Sequence, residues 1–304
     1  MPLKIAISGS TGMIGTALVD FLKSQGHGIT RIVRQYPPGH SQDSLIAWDT
    51  GKRKIDSSGL EGHDVVIHLA GVSIAGRRWT KFYKEAIYSS RIEGTQLLCE
   101  ALTRLKQPPR LLLCASAIGY YGNHEPEVVV DESAEAGRDF LAKVCEDWEK
   151  ATVSASSRNM RVACLRMGPV LSLKGGVLAR MLPIFKLGLG GILGTGRQMF
   201  SWIALDEIPY IISHLISSAK ISGSVNCVSP NPVSNSEFTK TLGEVIRRPT
   251  FFPLPGVIVK IMFGEMGDSL LLGGARVVPK RLLESGYQFR YFNLEAILKH
   301  LIGV

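Results

Sequence analysis

Residues 9 to 15 read Gly9-Ser10-Thr11-Gly12-Met13-Ile14-Gly15, with three glycines at regular spacing. Such a spacing lets a backbone turn tightly and come close to a pyrophosphate. The turn follows an apolar run, Leu3 to Ser8, that reads as a buried strand. After it, Ile14, Ala17, Leu18, Phe21 and Leu22 recur at helical spacing. A helix that starts at a glycine turn offers unpaired N–H groups and a positive dipole end to phosphates. In this strand-to-helix context the triplet predicts a dinucleotide site.

A second chemical feature stands at the end of the next strand. In NAD-binding folds an acidic residue there, about 20 residues past the turn, holds the ribose hydroxyls. This chain has Val33-Arg34 instead, and Arg34 lies 19 residues after Gly15. A carboxylate would repel a 2′-phosphate, whereas a guanidinium holds one by charge-assisted hydrogen bonds. Arg34 therefore predicts NADP, with Arg31 as a weaker second candidate.

The elements that must position these residues follow a regular pattern. Ile29 to Val33 reads as a strand, and Pro37, Pro38 and Gly39 mark a loop. Asp64 to Ala70 is a buried strand that ends at Gly71. Residues 79 to 105 carry a helical stripe through Ile87, Ile92, Leu97, Leu98, Ala101 and Leu105, stopped by Pro108 and Pro109. Leu111 to Ala115 is a further strand, a helix spans about Asp139 to Ala155, and Arg161 to Met167 is a strand again. This alternation predicts an α/β fold with a Rossmann-type, doubly wound parallel sheet.

After Met167 the texture changes. Gly188, Gly190, Gly191, Gly194 and Gly196 fall within nine residues, which fits either a mobile flap or a crossover with several turns. A helix near 206–219, a strand near 224–228 and a helix near 235–247 come next. Residues 1–170 are expected to form the NADP-binding domain. Residues 171–304 are expected to form a smaller substrate-side lobe, interleaved with the first and able to complete its sheet.

The chain has 304 residues, 45% of them hydrophobic, enough for a large core. It has no run of roughly 18 apolar residues, so no membrane span is expected. A first strand at residue 3 leaves no expectation of a leader peptide. Cys99, Cys114, Cys145, Cys164 and Cys227 are scattered and odd in number, which fits the cytoplasm or another reducing compartment. The net charge of +9 is spread along the chain without a basic run, so no nucleic-acid partner is expected. An excess of positive charge also suits a polyanionic cofactor. His68 lacks companion ligands, and no metal site is expected.

Several segments together carry a family resemblance. They are the glycine turn, Asp64 to Gly71, Arg77-Arg78-Trp79, Ser90-Arg91 ahead of Gly94-Thr95, and Ser116 to Gly122. Gly188 to Gly191, Phe200 to Ile203, Asn231-Pro232-Val233 and Pro279 to Leu283 add to them. The chain resembles the extended short-chain dehydrogenases/reductases, in their atypical epimerase-family branch, over essentially its whole length. That includes a family-specific segment at about 250–299. The resemblance implies that Gly9, Thr11, Gly12, Met13, Ile14 and Gly15 wrap the pyrophosphate. It implies that Val33 and Arg34 hold the adenosine end, and that Leu69 and Ala70 line the cofactor. Glu85 and Arg91 match cofactor-contacting positions, and Met167 and Val170 match positions near the nicotinamide.

The catalytic pattern of that family departs here. Ordinary members use a serine and a Tyr-x-x-x-Lys pair, in which the tyrosine moves a proton and the lysine lowers its pKa. The resemblance places Leu141 at the tyrosine position and Cys145 at the lysine position. Ser116 is the candidate serine, and Tyr120 is the candidate replacement acid, with Arg91 as a cation that lowers its pKa. Tyr121 reads as a packing residue. Lys143 is two residues out of phase, about 200° around the helix. Two functions fit. One is an NADP-dependent oxidoreductase or epimerase acting on an unidentified small-molecule carbonyl substrate. The other is a non-catalytic NADP(H)-binding regulatory or redox-sensing protein.

Overall fold

The computed structural model describes residues 1–34, 45–156 and 160–304, so the loop expected at Pro37 to Gly39 lies outside the described residues. The first part of the chain forms β1 (Lys4–Ser8), α1 (Met13–Ser24), β2 (Gly28–Val33), β3 (Leu45–Asp49), β4 (Lys54–Ile55) and β5 (Val65–His68). There follow α2 (Lys81–Thr103), β6 (Leu111–Ala117), β7 (Val129–Val130), α3 (Phe140–Lys150), α4 (Val153–Ser156) and β8 (Arg161–Met167). The second part forms β9 (Val170–Leu171), α5 (Gly176–Lys186), β10 (Met199–Phe200), β11 (Ile203–Ala204), α6 (Ile208–Ser217) and β12 (Gly223–Cys227). The chain ends through β13 (Val233–Ser234), α7 (Asn235–Val245), α8 (Gly256–Phe263), α9 (Glu265–Gly267), β14 (Arg276–Val277), α10 (Lys280–Glu284) and α11 (Leu294–Ile302).

One sheet of eight strands dominates, in the order β12-β8-β6-β5-β1-β2-β3-β4. Its neighbours pair in parallel, except β3 with β4. Ile5 to Ile7, Val65 to Ile67 and Leu111 to Cys114 are buried without interruption. Uninterrupted apolar strands are those covered by helices on both faces. The chain runs outward from β1 to β2 on one side, then returns to place β5 on the other. The strand order therefore reverses between β1 and β5, and a crevice opens there at the carboxyl ends of the strands.

The second part of the chain completes the main sheet. β12 pairs with β8, so the edge of the main sheet comes from residues 223–227. α6 returns to α1, with Phe21 and Tyr210 meeting edge to face at 4.8 Å. A second core forms around Leu178, Phe185, Trp202, Phe238, Leu242 and Ile297. Among the described residues, no helix is long and apolar enough to cross a membrane.

Two local features differ from the sequence pattern, and a third selects between the alternatives it left open. β3 and β4 extend the sheet where no strand was expected, because Leu45, Ile46 and Trp48 turn inward within a short segment. The helix expected through Ala155 breaks after Lys150, where the Thr152 hydroxyl donates to the Glu149 carbonyl at 2.7 Å. Such a side-chain bond competes with the helical ladder. The glycine-rich stretch is a stitched crossover. Gly194 N–H donates to Leu254 O, Leu254 N–H donates to Ile192 O, and Leu193 N–H donates to Asn235 Oδ1.

Candidate functional site

The crevice is built by the glycine turn between β1 and α1. Gly9 has φ +67°, and a Cβ there would lie 2.7 Å from the Leu69 carbonyl carbon and 2.9 Å from the Ala70 nitrogen. A Cβ on Gly15 would lie 2.2 Å from the Gly9 oxygen. Both positions exclude any side chain, so the turn can press against the end of β5. Gly12 begins α1 without a side-chain cap, which leaves first-turn N–H groups for an anion. Ser10 Oγ is buried beside them without a hydrogen-bond partner among the described residues. A bare helix end, an orphaned hydroxyl and a turn with no room for Cβ atoms fit a dinucleotide pyrophosphate.

Most of the other expected cofactor residues lie in the turn and α1 or at the carboxyl ends of β2, β5 and β8. Thr11 is exposed, and Met13 and Ile14 are half-buried. The Met13 sulfur lies 3.3 Å from where a Gly175 Cβ would be, so α1 and α5 begin face to face. Val33 ends β2, and Arg34 follows it, exposed and without an ion pair among the described residues. Leu69 and Ala70 lie just past β5, half-buried. Met167 is the buried last residue of β8, and Val170 opens β9 opposite Ile203.

α2 carries Glu85 and Arg91, six positions apart and so about 120° apart around the helix. Glu85 is exposed. Arg91 turns inward, and its Nη1 donates to Val72 O at 2.9 Å and Ile87 O at 3.1 Å. Ser90 Oγ accepts from Val72 N–H at 3.1 Å, so α2 holds the loop that leaves β5.

Ser116 and Tyr120 belong to one buried polar row. Ser116, Arg166 and Asn226 sit side by side on β6, β8 and β12. Ser116 Oγ donates to Glu149 Oε1 at 2.7 Å. Arg166 donates to both Glu149 oxygens at 2.8 Å and to Tyr121 Oη at 3.0 Å. Tyr121 Oη in turn donates to Asn226 Oδ1 at 2.7 Å. Burial opposes the Arg166 charge, but the bonds and charge of Glu149 hold its pKa above the ordinary value. Burial raises the Tyr121 hydroxyl to about 12. Tyr120 stacks over Arg166 with its own hydroxyl unbonded among the described residues. The cation at Tyr120 is therefore Arg166 and not Arg91, because β8 brings its guanidinium under the ring.

Leu141 and Cys145 are buried on α3. Burial pushes the Cys145 thiol up to about 12. The turn Ile118–Tyr121 packs directly on them, with a Gly119 Cβ position 3.3 Å from Leu141 Cβ and 3.8 Å from Cys145 Sγ. Lys143 points to solvent and pairs with Asp147 at 2.9 Å. His68 is fully buried, with Nδ1 2.6 Å from Ser8 Oγ. Among the described residues, no cluster of three metal-ligating side chains occurs.

Glu149, Arg166 and Asn226 escaped the sequence reading. The signal was present: Arg166 interrupts Val-Ala-Cys-Leu-Arg-Met, and Asn226 interrupts Ser-Val-Asn-Cys, in strands otherwise fit for burial.

A parallel sheet with a glycine turn at its switch point defines the class of dinucleotide-binding α/β proteins. Comparison with known proteins makes this particular. Residues 5–227 match the NAD dependent epimerase/dehydratase family, and residues 254–301 match a domain of unknown function, DUF1731. The chain belongs to the NAD dependent epimerase/dehydratase family. An epimerase family protein of Mycobacterium bovis is 42% identical, covering 94% of this chain and 93% of that protein. Human epimerase family protein SDR39U1, solved with NADPH, superposes with a TM-score of 0.89 at 34% identity, covering 99% of both chains. A nucleoside-diphosphate sugar epimerase from Corynebacterium glutamicum superposes with a TM-score of 0.80 at 37% identity, over all of this chain and 59% of that one.

Proposed function

We propose that this protein is an NADP-dependent oxidoreductase acting on a small carbonyl substrate. The observation that carries the reading is the cradle at Gly9 to Gly15, together with Arg34, exposed at the end of β2 with no ion pair among the described residues. The NADPH bound to the human relative supports the choice of nucleotide. In this reading Gly9, Gly12, Gly15 and Ser10 receive the pyrophosphate, and Arg34 receives the 2′-phosphate. Bound NADPH supplies a hydride. Tyr120 supplies the proton to the substrate oxygen, since its hydroxyl is free and its ring is fixed over Arg166. Ser116 acts as a positioning residue through Glu149, because its hydroxyl proton is directed inward.

A second reading is a protein that binds NADP(H) without turnover. Leu141 and the high-pKa thiol of Cys145 favour it, since neither moves a proton at neutral pH. NADPH oxidation at 340 nm across a broad panel of aldehydes and ketones separates the two. The oxidoreductase reading expects turnover that drops about a hundredfold or more in Tyr120→Phe, the range typical of a lost general acid. NADPH binding with no turnover across the panel favours the second reading.

A further inference from the structure

Arg91 occupies a place where the fold calls for an apolar residue. It lies on the inward face of α2, between the fully buried Ile87 and Thr95 at helical spacing. A guanidinium drawn in there loses hydration, and burial lowers its pKa. A structural arginine in such a place is normally matched by a carboxylate. Arg91 has no ion pair with any described carboxylate. Its Nη1 is taken by two backbone carbonyls, and the guanidinium faces the Trp148 ring at 5.0 Å. Nε and Nη2 have no hydrogen-bond partner among the described residues.

The face of this cation lies against the loop that borders the crevice. The guanidinium carbon lies 3.3 Å from where a Cβ of Gly71 would be, and Gly71 itself is exposed. With no side chain at Gly71, nothing on that residue covers the charge. Gly71 directly follows Leu69 and Ala70, against which the glycine turn is pressed. The adenosine end is directed toward β2 and Arg34, so a dinucleotide crossing the switch point extends its nicotinamide half toward β5 and β6. Arg91 stands on that side.

We propose that Arg91 is a specificity-determining cation of the nicotinamide half-site, which makes this protein select reduced over oxidised cofactor. The inference rests on the NADP reading above. The phosphates of NADPH and NADP⁺ are the same, so Arg34 and the glycine turn treat the two alike. They differ in the ring, which is neutral when reduced and positive when oxidised. An uncompensated guanidinium in a partly dehydrated site repels the positive ring and leaves the neutral one unpenalised. Selection of the reduced form suits work as a reductase.

The test is calorimetric titration of the full chain with NADPH, NADP⁺ and 2′,5′-ADP, which carries the adenosine half without nicotinamide. Wild-type protein is expected to bind NADPH about tenfold more tightly than NADP⁺. Arg91→Gln should bring that ratio close to one, Arg91→Lys should keep it, and neither should change 2′,5′-ADP affinity. Equal wild-type affinities for NADPH and NADP⁺ overturn the proposal whatever the variants do. An unchanged ratio in an Arg91→Gln protein that binds 2′,5′-ADP normally also overturns it. Failure of wild-type protein to bind 2′,5′-ADP overturns the underlying NADP reading instead, and the proposal with it.

Discussion

The guanidinium carbon of Arg166 lies 3.4 Å from the centre of the Tyr120 ring. Arg166 can hold that position because Glu149 takes two of its donors and Tyr121 a third. The pair is largely buried, with side-chain exposures of 4% for Arg166 and 16% for Glu149. Removing one partner leaves a charge in an apolar setting, at a cost of about 3–5 kcal/mol. Glu149→Ala is therefore expected to lose stability of that order in chemical denaturation. Replacing both residues with leucine should cost less than the sum of the single changes. Additive losses would show that the two charges are not coupled.

The glycine turn makes a steric prediction. A Cβ at Gly9 meets the Leu69 and Ala70 backbone below 3 Å, on a residue whose φ is already +67°. Gly9→Ala is expected to weaken NADPH binding at least about tenfold, by pushing the turn off β5. Cofactor fluorescence titration reads this directly. Gly26→Ala serves as a control, since its Cβ position is open and only its φ of +81° is strained. It should cost stability with little effect on binding.

All five cysteines are free and buried. Burial raises the thiols of Cys99, Cys145 and Cys164 to about 12, and those of Cys114 and Cys227 go up as well. At pH 8 the folded protein should show no fast-reacting thiol with an aromatic disulfide reagent, and five once unfolded in denaturant. A single thiol reacting within seconds in the folded protein, lost in Cys145→Ala, would reassign Cys145 from packing to chemistry.

Burial lowers the His68 pKa from 6.5 to about 4. Between those values the unfolded chain takes up a proton that the folded protein refuses. Stability from this residue is therefore complete above pH 6.5 and is lost as the pH falls toward 4. Between pH 7 and pH 5 the loss is about 2 kcal/mol. Denaturation curves at the two pH values should differ by that much more in wild type than in His68→Phe. An equal pH dependence in the two proteins would show that His68 is hydrated or already paired in its charged form.

The sequence was most legible where one residue type was forced. Gly9 and Gly15 are required by contacts below 3 Å, so a glycine pattern was bound to appear. The strands through Val65 and Leu111 are covered on both faces, so their apolar runs stood out. What stayed hidden depends on register. Nothing local says that Ser116, Arg166 and Asn226 fall side by side on three strands, or that Glu149 reaches them from α3. The same holds for Gly188 to Gly196. Its composition suits a flap or a crossover equally, and only its bonds to 252–254 and to α7, far along the chain, select the crossover. Arg91 shows both sides. Its position on α2 was visible, but its lack of a carboxylate partner is a property of the packed molecule.

The most direct measurement is the affinity of the wild-type protein for NADPH and for NADH under identical conditions, repeated with Arg34→Ala. NADPH should bind at least tenfold more tightly than NADH, since charge-assisted bonds to the 2′-phosphate contribute about 1.5–3 kcal/mol. Arg34→Ala should erase most of that difference while leaving NADH affinity unchanged. Equal affinities for the two in the wild-type protein, or no binding of either, would contradict the proposed role of this crevice.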